Sequence, residues 1–312
     1  MVALFTYYGA YGVFPFLALA AYLIARGEGF WRGVMLIALI PAVTVAWARF
    51  AEPAWLQTER AEIVLAGATA DGPSLRIALF ADTHFGKFGN APSLARIVNQ
   101  VNQQDVDLVL IAGDLVYHPR SGQIESEIGA LARLEAPAIA ILGNHDVGAP
   151  GPDNRRAVRT ALEAAGVSVL EDTFEIVEIS GQQLAISGLR DLWDRLPIDT
   201  DFASKIPEGL PHITLAHNPD TALYLPTGFD YDLMLSGHTH GGQIRLPFLF
   251  HLAIPCEGDW DRDLHSWRDT TGAERLVWVT PGTGMVDLPF RLFQPPRIDI
   301  LTLHLPEPDP TP

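Results

Sequence analysis

The chain has 312 residues and a formal net charge of −16 at neutral pH. This acidic balance argues against a protein that follows the phosphate backbone of nucleic acid, since that requires basic stripes, and we expect no nucleic-acid partner. Cys256 is the single cysteine, which excludes an intrachain disulfide and a cysteine-based zinc site. Any phosphate chemistry in such a chain would rely on bound cations rather than on clusters of arginine.

The first fifty residues contain two uncharged apolar runs. Residues 2–25 are long enough to cross a hydrocarbon layer of roughly 30 Å as a helix. Residues 33–48 form a second, shorter run that contains Pro41. Together they predict a transmembrane helical hairpin, so that residues 1–50 anchor the chain in the inner (plasma) membrane. The alternatives are a buried helical hairpin and a cleaved signal peptide, although no positive charge stands near Met1.

The charges around the two runs bear on orientation. Arg26 and Arg32 outweigh Glu28 in the short connection, and the positive-inside rule would keep that connection in the cytoplasm. With two spans, the rest of the chain would then face the extracytoplasmic side. Arg49 weakens this prediction, and it reverses if the second run does not span.

After the anchor, residues 51–72 are predicted as a linker with some strand character in the stretch AEIVLAG. Short apolar strands then alternate with amphipathic helices, and strands dominate from about residue 173 to residue 304. This order predicts an α/β fold with a mixed sheet, or two stacked sheets, and helices outside. The domain is expected to span residues 73–304, and the proline-rich, acidic residues 305–312 are expected to be a disordered tail.

Polar side chains of the kind that bind metals follow five predicted strands at their carboxyl ends. Ligands in open α/β sheets gather at such ends, so we expect these side chains to meet at one rim. Carboxylate, amide and imidazole donors without a thiolate suit zinc, iron or manganese. Each short motif alone is more often a turn with a surface histidine, and the ordered set is what indicates a metal site. The set is Asp82 and His84; Asp114; Asn144, His145 and Asp146; His217; and His238 and His240.

These blocks resemble the signature blocks of the calcineurin-like metallophosphoesterases. The matching stretches are Asp82-x-His84, Gly113-Asp114, Gly143-Asn144-His145-Asp146, His217 and Gly237-His238-x-His240. The later stretches HGGQIRLP and LPFRLFQPPRIDILTL are similar to a membrane-anchored bacterial subgroup, which includes transmembrane proteins with this domain and some UDP-2,3-diacylglucosamine hydrolases. The resemblance implies a four-layer α/β/β/α sandwich.

The resemblance also implies two divalent metal ions (Mn, Fe or Zn) and a role for each residue. One ion would be held by Asp82, His84 and His240, and the other by Asn144, His217 and His238. Asp114 would bridge them, and His145 would protonate the leaving group or bind the phosphate. Two cations roughly 3.5–4 Å apart can stabilise both the attacking and the leaving oxygen of a phosphoryl displacement.

One position departs from the family pattern. Many relatives carry an aspartate three residues after the bridging one, where it orients the histidine, and this chain has Tyr117 there. Either Asp146 takes over the orienting role, or His145 acts mainly as a phosphate-binding cation.

The expected activity is hydrolysis of a phosphodiester or pyrophosphate bond in a membrane lipid or lipid-linked substrate, and UDP-2,3-diacylglucosamine is the sharpest candidate. That substrate is expected on the cytoplasmic side, in conflict with the orientation above. The alternatives are a general extracytoplasmic phosphodiesterase or phosphatase, and a non-catalytic anchored module that keeps the fold. The apolar residues 245–255 and 287–293 either dip into a membrane surface or pack against the edge of the second sheet.

Overall fold

A computed structural model describes the backbone of residues 2–27, 29–89, 91–269 and 271–307. The helices in chain order are α1 (Val2–Gly9), α2 (Val13–Arg26), α3 (Gly29–Ala46), α4 (Leu94–Val101), α5 (Gln123–Ile128), α6 (Arg155–Ala164) and α7 (Thr221–Tyr224). The strands are β1 (Gln57–Val64), β2 (Ser74–Phe80), β3 (Phe85–Gly86), β4 (Leu108–Ala112), β5 (Val116–Tyr117), β6 (Ala138–Ile141), β7 (Ser168–Val169), β8 (Thr173–Ile179), β9 (Gln182–Gly188), β10 (His212–Leu215), β11 (Leu233–Ser236), β12 (Asp263–Arg268), β13 (Glu274–Val279) and β14 (Arg297–His304).

The amino-terminal helices form the expected pair of apolar segments. Thr6–Arg26 and Gly29–Ala54 are long and apolar enough to cross a membrane, with mean hydropathies of 1.6 and 2.0. Helices α2 and α3 pack against each other. Only 11% and 17% of their most apolar stretches is buried, and large side chains such as Leu19, Ile37 and Ile40 point outward. This exposure disfavours the core-hairpin alternative and is consistent with membrane association.

Two six-stranded sheets form the centre of the domain. The first has the order β1-β14-β2-β4-β6-β7 and is parallel except for the β14–β2 pair. The second has the order β12-β13-β11-β10-β9-β8, with antiparallel pairing only at its two ends. Apolar side chains from both sheets share one core between them, among them Leu79, Leu110, Ile186, Leu215 and Leu235.

Helices cover the outer faces of the two sheets unequally. Ser93 caps the amino terminus of helix α4, because its side chain accepts a hydrogen bond from the Arg96 amide. The helix buries the stripe of Leu94, Ile97, Val98 and Val101. Together with α5 and α6 it covers the first sheet. The second sheet is covered by α7, a 3₁₀ turn at Asp201–Lys205 and loop residues such as Phe229 and Trp260. The predicted α/β/β/α order is therefore present, with a thin fourth layer.

The segment predicted as a linker with some strand character contains a full strand of the first sheet. β1 pairs in parallel with β14 along its whole length, from Gln57–Arg297 to Val64–His304. Within β1 only Ile63 is buried, because the strand lies at the sheet edge with most side chains partly or fully exposed. The sheet therefore begins near residue 57 rather than 73.

Candidate metal centre

Every residue predicted as a metal ligand lies in one buried cluster where the strands of both sheets end. The carboxylate and imidazole members fall into three overlapping groups, and the ligand atoms within each group lie within 4.8 Å of one another. The groups are Asp82, His84 and His240; His84, Asp114 and His145; and Asp114, His217 and His238. Asn144 joins through its hydrogen bond to His238. The convergence expected at the strand ends is thus observed.

The first half of the cluster contains Asp82, His84 and His240. The Nε2 atoms of the two histidines are 3.0 Å apart, and Asp82 Oδ1 lies 3.7 Å from His84 Nε2 and 3.5 Å from His240 Nε2. Two imidazole nitrogens at this distance require a proton or a cation between them, because two facing lone pairs repel each other. All three side chains are buried.

The second half contains Asn144, His217 and His238, and outer hydrogen bonds orient His217 and Asn144. His217 Nδ1 lies 2.7 Å from the carbonyl oxygen of Ala112, which directs Nε2 into the cluster. The Asn144 amide nitrogen donates to the Ala149 carbonyl over 2.9 Å, so Oδ1 faces His238 Nδ1 at 3.1 Å. These outer contacts fix donor atoms in the direction that metal binding requires.

Asp114 lies between the two halves. Its Oδ2 is 3.6 Å from His84 Nε2 and 3.1 Å from His217 Nε2. Its Oδ1 accepts a hydrogen bond from the backbone amide of His145 over 2.8 Å. Asp114 therefore lies within 3.6 Å of an imidazole nitrogen in each half of the cluster.

The backbone around the cluster leaves no room for additional carbon atoms. A Cβ at Gly143 would overlap Asp114 Oδ1, and a Cβ at Gly237 would lie 2.5 Å from Asp82 Oδ2. Five of the proposed ligands also have left-handed backbones, which cost roughly 1–3 kcal/mol each in non-glycine residues. Their φ values are 52° for Asp82, 44° for His84, 55° for Asp114, 69° for His238 and 52° for His240. The fold holds these side chains in place against local strain.

Burial controls the charge of the imidazoles. It lowers the pKa of His84 and of His238 to about 3 and holds the pKa of His240 well below its ordinary value. Neutral imidazole is the form that coordinates metal ions, so these histidines are in a ligand-competent state. His217 differs: burial lowers its pKa, but the nearby Asp114 and Asp82 carboxylates raise it well above the ordinary value.

The pKa values of the two aspartates shift in opposite directions. Burial raises the pKa of Asp82 to about 7, against the opposing attraction of His217. Burial acts in the same direction on Asp114, but the charge and hydrogen bond of His217 hold its pKa below the ordinary range. The pair therefore resists carrying two full charges without additional cations, which is a condition that divalent ions would satisfy.

His145 is the least buried member of the cluster, which places it at the mouth. Its ring is edge-on to His84 at 5.0 Å and edge-on to Tyr117 at 5.1 Å between centroids. The Tyr117 hydroxyl donates to Asp287 Oδ1 over 3.1 Å. Tyr117 therefore acts as an aromatic wall for His145, not as the hydrogen-bonding partner that an aspartate would be.

The Asp146 carboxylate does not make the contact with His145 that one of the two alternatives assigned to it. Its oxygens accept from the backbone amides of Leu115, Val116 and Gly143, at 3.0–3.3 Å. Across the described residues, no hydrogen bond joins it to the His145 ring. The reason is geometric: a fully buried carboxylate satisfies the amides that surround it, and here these amides belong to the loops that carry Asp114 and Asn144.

Three residues near the cluster were not identified from the sequence. Arg291 is fully buried, and its Nη2 lies 3.5 Å from His240 Nδ1 while its other nitrogens donate to loop carbonyls. Asp191 is a buried carboxylate whose pKa is raised to about 6 by burial, against the attraction of His217. The ring of Trp193 is edge-on to His238 at 4.5 Å. None of these lies in a metal-ligand motif, so local spacing provides no signal for them.

The chain is similar in sequence to known phosphoesterases. Residues 75–242 match the family model described as calcineurin-like phosphoesterase. The chain is 30% identical over 262 residues to the uncharacterized metallophosphoesterase YkuE of Bacillus subtilis, covering 82% of this chain and 88% of that one. It is 30% identical over 258 residues to the phosphodiesterase YaeI of Escherichia coli, covering 81% and 90%. A zebrafish (Danio rerio) transmembrane protein with metallophosphoesterase domain is 29% identical over 233 residues, covering 70% of this chain and 50% of the relative.

Proposed function

The chain belongs to the calcineurin-like phosphoesterase family, and from this membership we propose that its buried cluster binds two divalent metal ions and hydrolyses a phosphodiester or pyrophosphate bond in a membrane lipid-linked substrate. That the chain is a metal-dependent phosphoester hydrolase follows from the family. The number of metal ions, the role of each residue and the substrate class are the proposal.

The observation that carries the proposal is the position of Asp114. One of its oxygens lies within 3.6 Å of imidazole nitrogens from both halves of the cluster, His84 on one side and His217 on the other. Asp82, His84 and His240 would hold one ion, and Asn144, His217 and His238 the other. The donor set of carboxylate, amide and imidazole suits Mn, Fe or Zn. When bound, such ions supply Lewis-acid polarisation of the phosphoryl group and lower the pKa of water.

The protein's own residues perform the remaining tasks. The Asp114 carboxylate and the His145 backbone are joined by a hydrogen bond, so the residue at the mouth is held at a fixed distance from the cluster. From there the His145 imidazole binds a non-bridging phosphate oxygen or donates a proton to the leaving oxygen. The rings of Tyr117 and His84 restrict its rotation.

The contacts between the apolar amino-terminal helices and the domain support a substrate that is part of the membrane. The backbone amide of Arg291 donates to the Ala48 carbonyl over 2.9 Å, and the Gln294 amide donates to Glu52 Oε1 over 2.6 Å. Arg291 in turn lies behind His240. The end of the second apolar segment is thus directly bonded to the loop behind a proposed metal ligand. Because its anchor holds the site at the membrane, such an enzyme encounters the phosphate groups of lipids more often than those of dilute soluble molecules.

The experiment uses the full chain reconstituted in lipid vesicles. Metal content is measured by elemental analysis, and hydrolysis is measured on bis-p-nitrophenyl phosphate, on a phosphodiester lipid in vesicles, and on UDP-2,3-diacylglucosamine. We expect about two metal equivalents and faster turnover of a lipid-borne substrate. Activity confined to the soluble ester would favour a general phosphodiesterase, and a metal-free, inert protein would overturn the proposal. A reporter at the carboxyl terminus identifies the membrane face, for which we keep the extracytoplasmic side as the prediction.

A further inference from the structure

Four large apolar side chains next to the metal cluster project into solvent, and we refer to Leu246, Phe248, Leu249 and Phe293 as the apolar rim. Their exposed fractions are 41%, 88%, 56% and 62%. The alternative that this segment packs against the sheet edge does not apply to these four residues, because such packing would bury them. Exposed apolar groups that lie side by side on a protein surface mark an interaction site.

The backbone presents two of these side chains at a conformational cost. Phe248 has a φ of 67° and Phe293 a φ of 58°. Bulky residues rarely adopt this left-handed region, and such strain persists where the surrounding structure imposes it. Both phenylalanines are therefore held outward by their loops.

The rim belongs to one bonded unit, although its residues are distant in sequence. Arg245 donates from its amide to the Leu292 carbonyl over 2.8 Å, and Leu292 donates to the Gln243 carbonyl over 3.1 Å. Ile244 and Leu292 form a parallel bridge. The loop that carries Phe248 therefore lies beside the loop that carries Phe293. Along the chain, each of the two loops comes after residues that contact the metal cluster.

The same unit is attached to the end of the second apolar segment. Through Arg291 and Gln294 it binds Ala48 and Glu52, and Glu52 also accepts from the Trp47 indole over 2.7 Å. Trp47 and Trp55 are 43% and 53% exposed and pack edge-on at 5.9 Å. Tryptophans at the end of an apolar helix are typical of the membrane–water interface.

The first apolar segment meets the mouth on another side. The Tyr7 ring stacks on Phe88 at 5.8 Å, and Phe88 packs with Tyr117, the wall of His145. The Arg49 guanidinium lies 4.2 Å from the Tyr7 ring centroid and so joins the two segments. Each apolar segment therefore contacts the domain at one of its ends, and both of these ends lie close to the mouth of the metal cluster.

We propose that the apolar rim inserts into the lipid at the same interface at which the second apolar segment leaves the membrane, so that the mouth of the cluster opens at headgroup level. The occupant of the rim is lipid, because the rim is continuous with the apolar helices through the bonds above. The net charge of −16 offers no general attraction to anionic headgroups, so apolar insertion provides the contact. This inference rests on the helices crossing the membrane, and it extends the proposed function by stating how a lipid phosphate reaches the site.

The first test measures insertion directly. In a Cys256→Ser background, single cysteines replace Phe248, Phe293 or Ile176, and each carries an environment-sensitive fluorophore on the full chain in vesicles that contain brominated phosphatidylcholine. Ile176 is the matched control, since it is 45% exposed on β8. Arg245 beside the rim donates to Asp261, next to β12, and β12 lies at the opposite edge of the second sheet from β8. We expect strong quenching by lipid at 248 and 293 and little at 176. Equal quenching at all three positions, or protection of 248 and 293 by contact with a second copy, would overturn the proposal.

The second test distinguishes lipid docking by the apolar rim from hydrolysis at the metal cluster. The Phe248→Ser/Phe293→Ser variant should hydrolyse soluble bis-p-nitrophenyl phosphate within about twofold of the wild type and lose about tenfold on a phosphodiester lipid in vesicles, since only the second reaction requires insertion. An equal loss on both substrates would contradict a lipid-docking role. If the wild type hydrolyses neither substrate, the proposed function fails, while the quenching result still decides whether the rim inserts.

Discussion

The backbone amide of His145 donates a hydrogen bond of 2.8 Å to Oδ1 of Asp114. This bond uses one carboxylate oxygen and leaves the other, Oδ2, facing imidazoles of both halves of the cluster. It also couples the residue at the mouth to the residue at the centre, so that displacement of one moves the other.

Replacement of Asp114 by asparagine should separate these two tasks. The amide oxygen still accepts from His145, but the amide nitrogen cannot bind a cation, so the fold should remain and the metal should be lost. We expect hydrolysis to fall by more than the roughly 100-fold typical of outer-shell changes, together with a loss of metal on elemental analysis. Asp105→Asn, on a fully exposed side chain, is the control and should change neither quantity. Retention of metal and turnover by Asp114→Asn would refute the bridging role.

The glycine before Asn144 provides a steric test. A methyl group at Gly143 would overlap Asp114 Oδ1 and approach its backbone nitrogen to 2.6 Å, so Gly143→Ala should displace the bridging carboxylate. We expect reduced metal content and a lower thermal midpoint. Gly129→Ala is matched to it, because a Cβ there meets nothing within 4 Å and the backbone is helical, which predicts a neutral or stabilising effect of up to about 1 kcal/mol. Identical behaviour of the two variants would show that the Gly143 backbone is free to move.

The aromatic wall of His145 can be tested at Tyr117. Tyr117→Phe keeps the edge-on ring and removes only the hydrogen bond to Asp287, so kcat should change little. Tyr117→Ala removes the ring pair, worth about 0.5–1.5 kcal/mol, and kcat should fall by roughly 2- to 12-fold. Steady-state kinetics on a soluble phosphodiester separates kcat from KM. A loss in Tyr117→Phe as large as in Tyr117→Ala would assign the role to the hydroxyl instead.

The titration of Asp299 should make the stability of the fold depend on pH, independently of the cluster ligands. Burial raises its pKa to about 6, despite an ion pair of 2.7 Å with Arg297 Nε. The unfolded value is about 3.9, so the folded protein retains this proton where the unfolded chain has lost it. The contribution of Asp299 to the free energy of unfolding is therefore fully present below about pH 4 and is lost as the pH rises through 6.

Asparagine imitates the protonated form and should remove this dependence. The thermal midpoint of Asp299→Asn minus that of the wild type should therefore increase between pH 4 and pH 6 and level off above about pH 7. Thermal unfolding monitored by fluorescence across this range measures the difference. A difference that is constant with pH would mean that Asp299 titrates alike in the folded and unfolded chains.

The site was largely predictable from sequence, because its ligands follow apolar strands at short intervals. Asp82, Asp114 and His217 are each two residues beyond such a strand. The contact of Arg291 with His240 was not predictable, because it depends on the path of a loop, which no periodic pattern in the local sequence indicates. The same holds for the strained φ values of the ligands and for the contacts of Asp146, which depend on tertiary packing. Strand β1 was predicted only as strand character within a linker, because Glu59, Arg60 and Glu62 are typical of a solvated segment.

The position of β1 has a practical consequence for any shortened form of this chain. β1 covers the outer edge of β14 over eight residue pairs. A soluble fragment that begins at residue 73 would leave the backbone groups along that edge unpaired, and β14 carries the buried Ile298, Ile300, Leu301 and Leu303. An open, apolar edge strand is a template for strand addition between molecules. Such a fragment should therefore aggregate even with an intact metal cluster, whereas a fragment that begins before residue 57 keeps the edge closed.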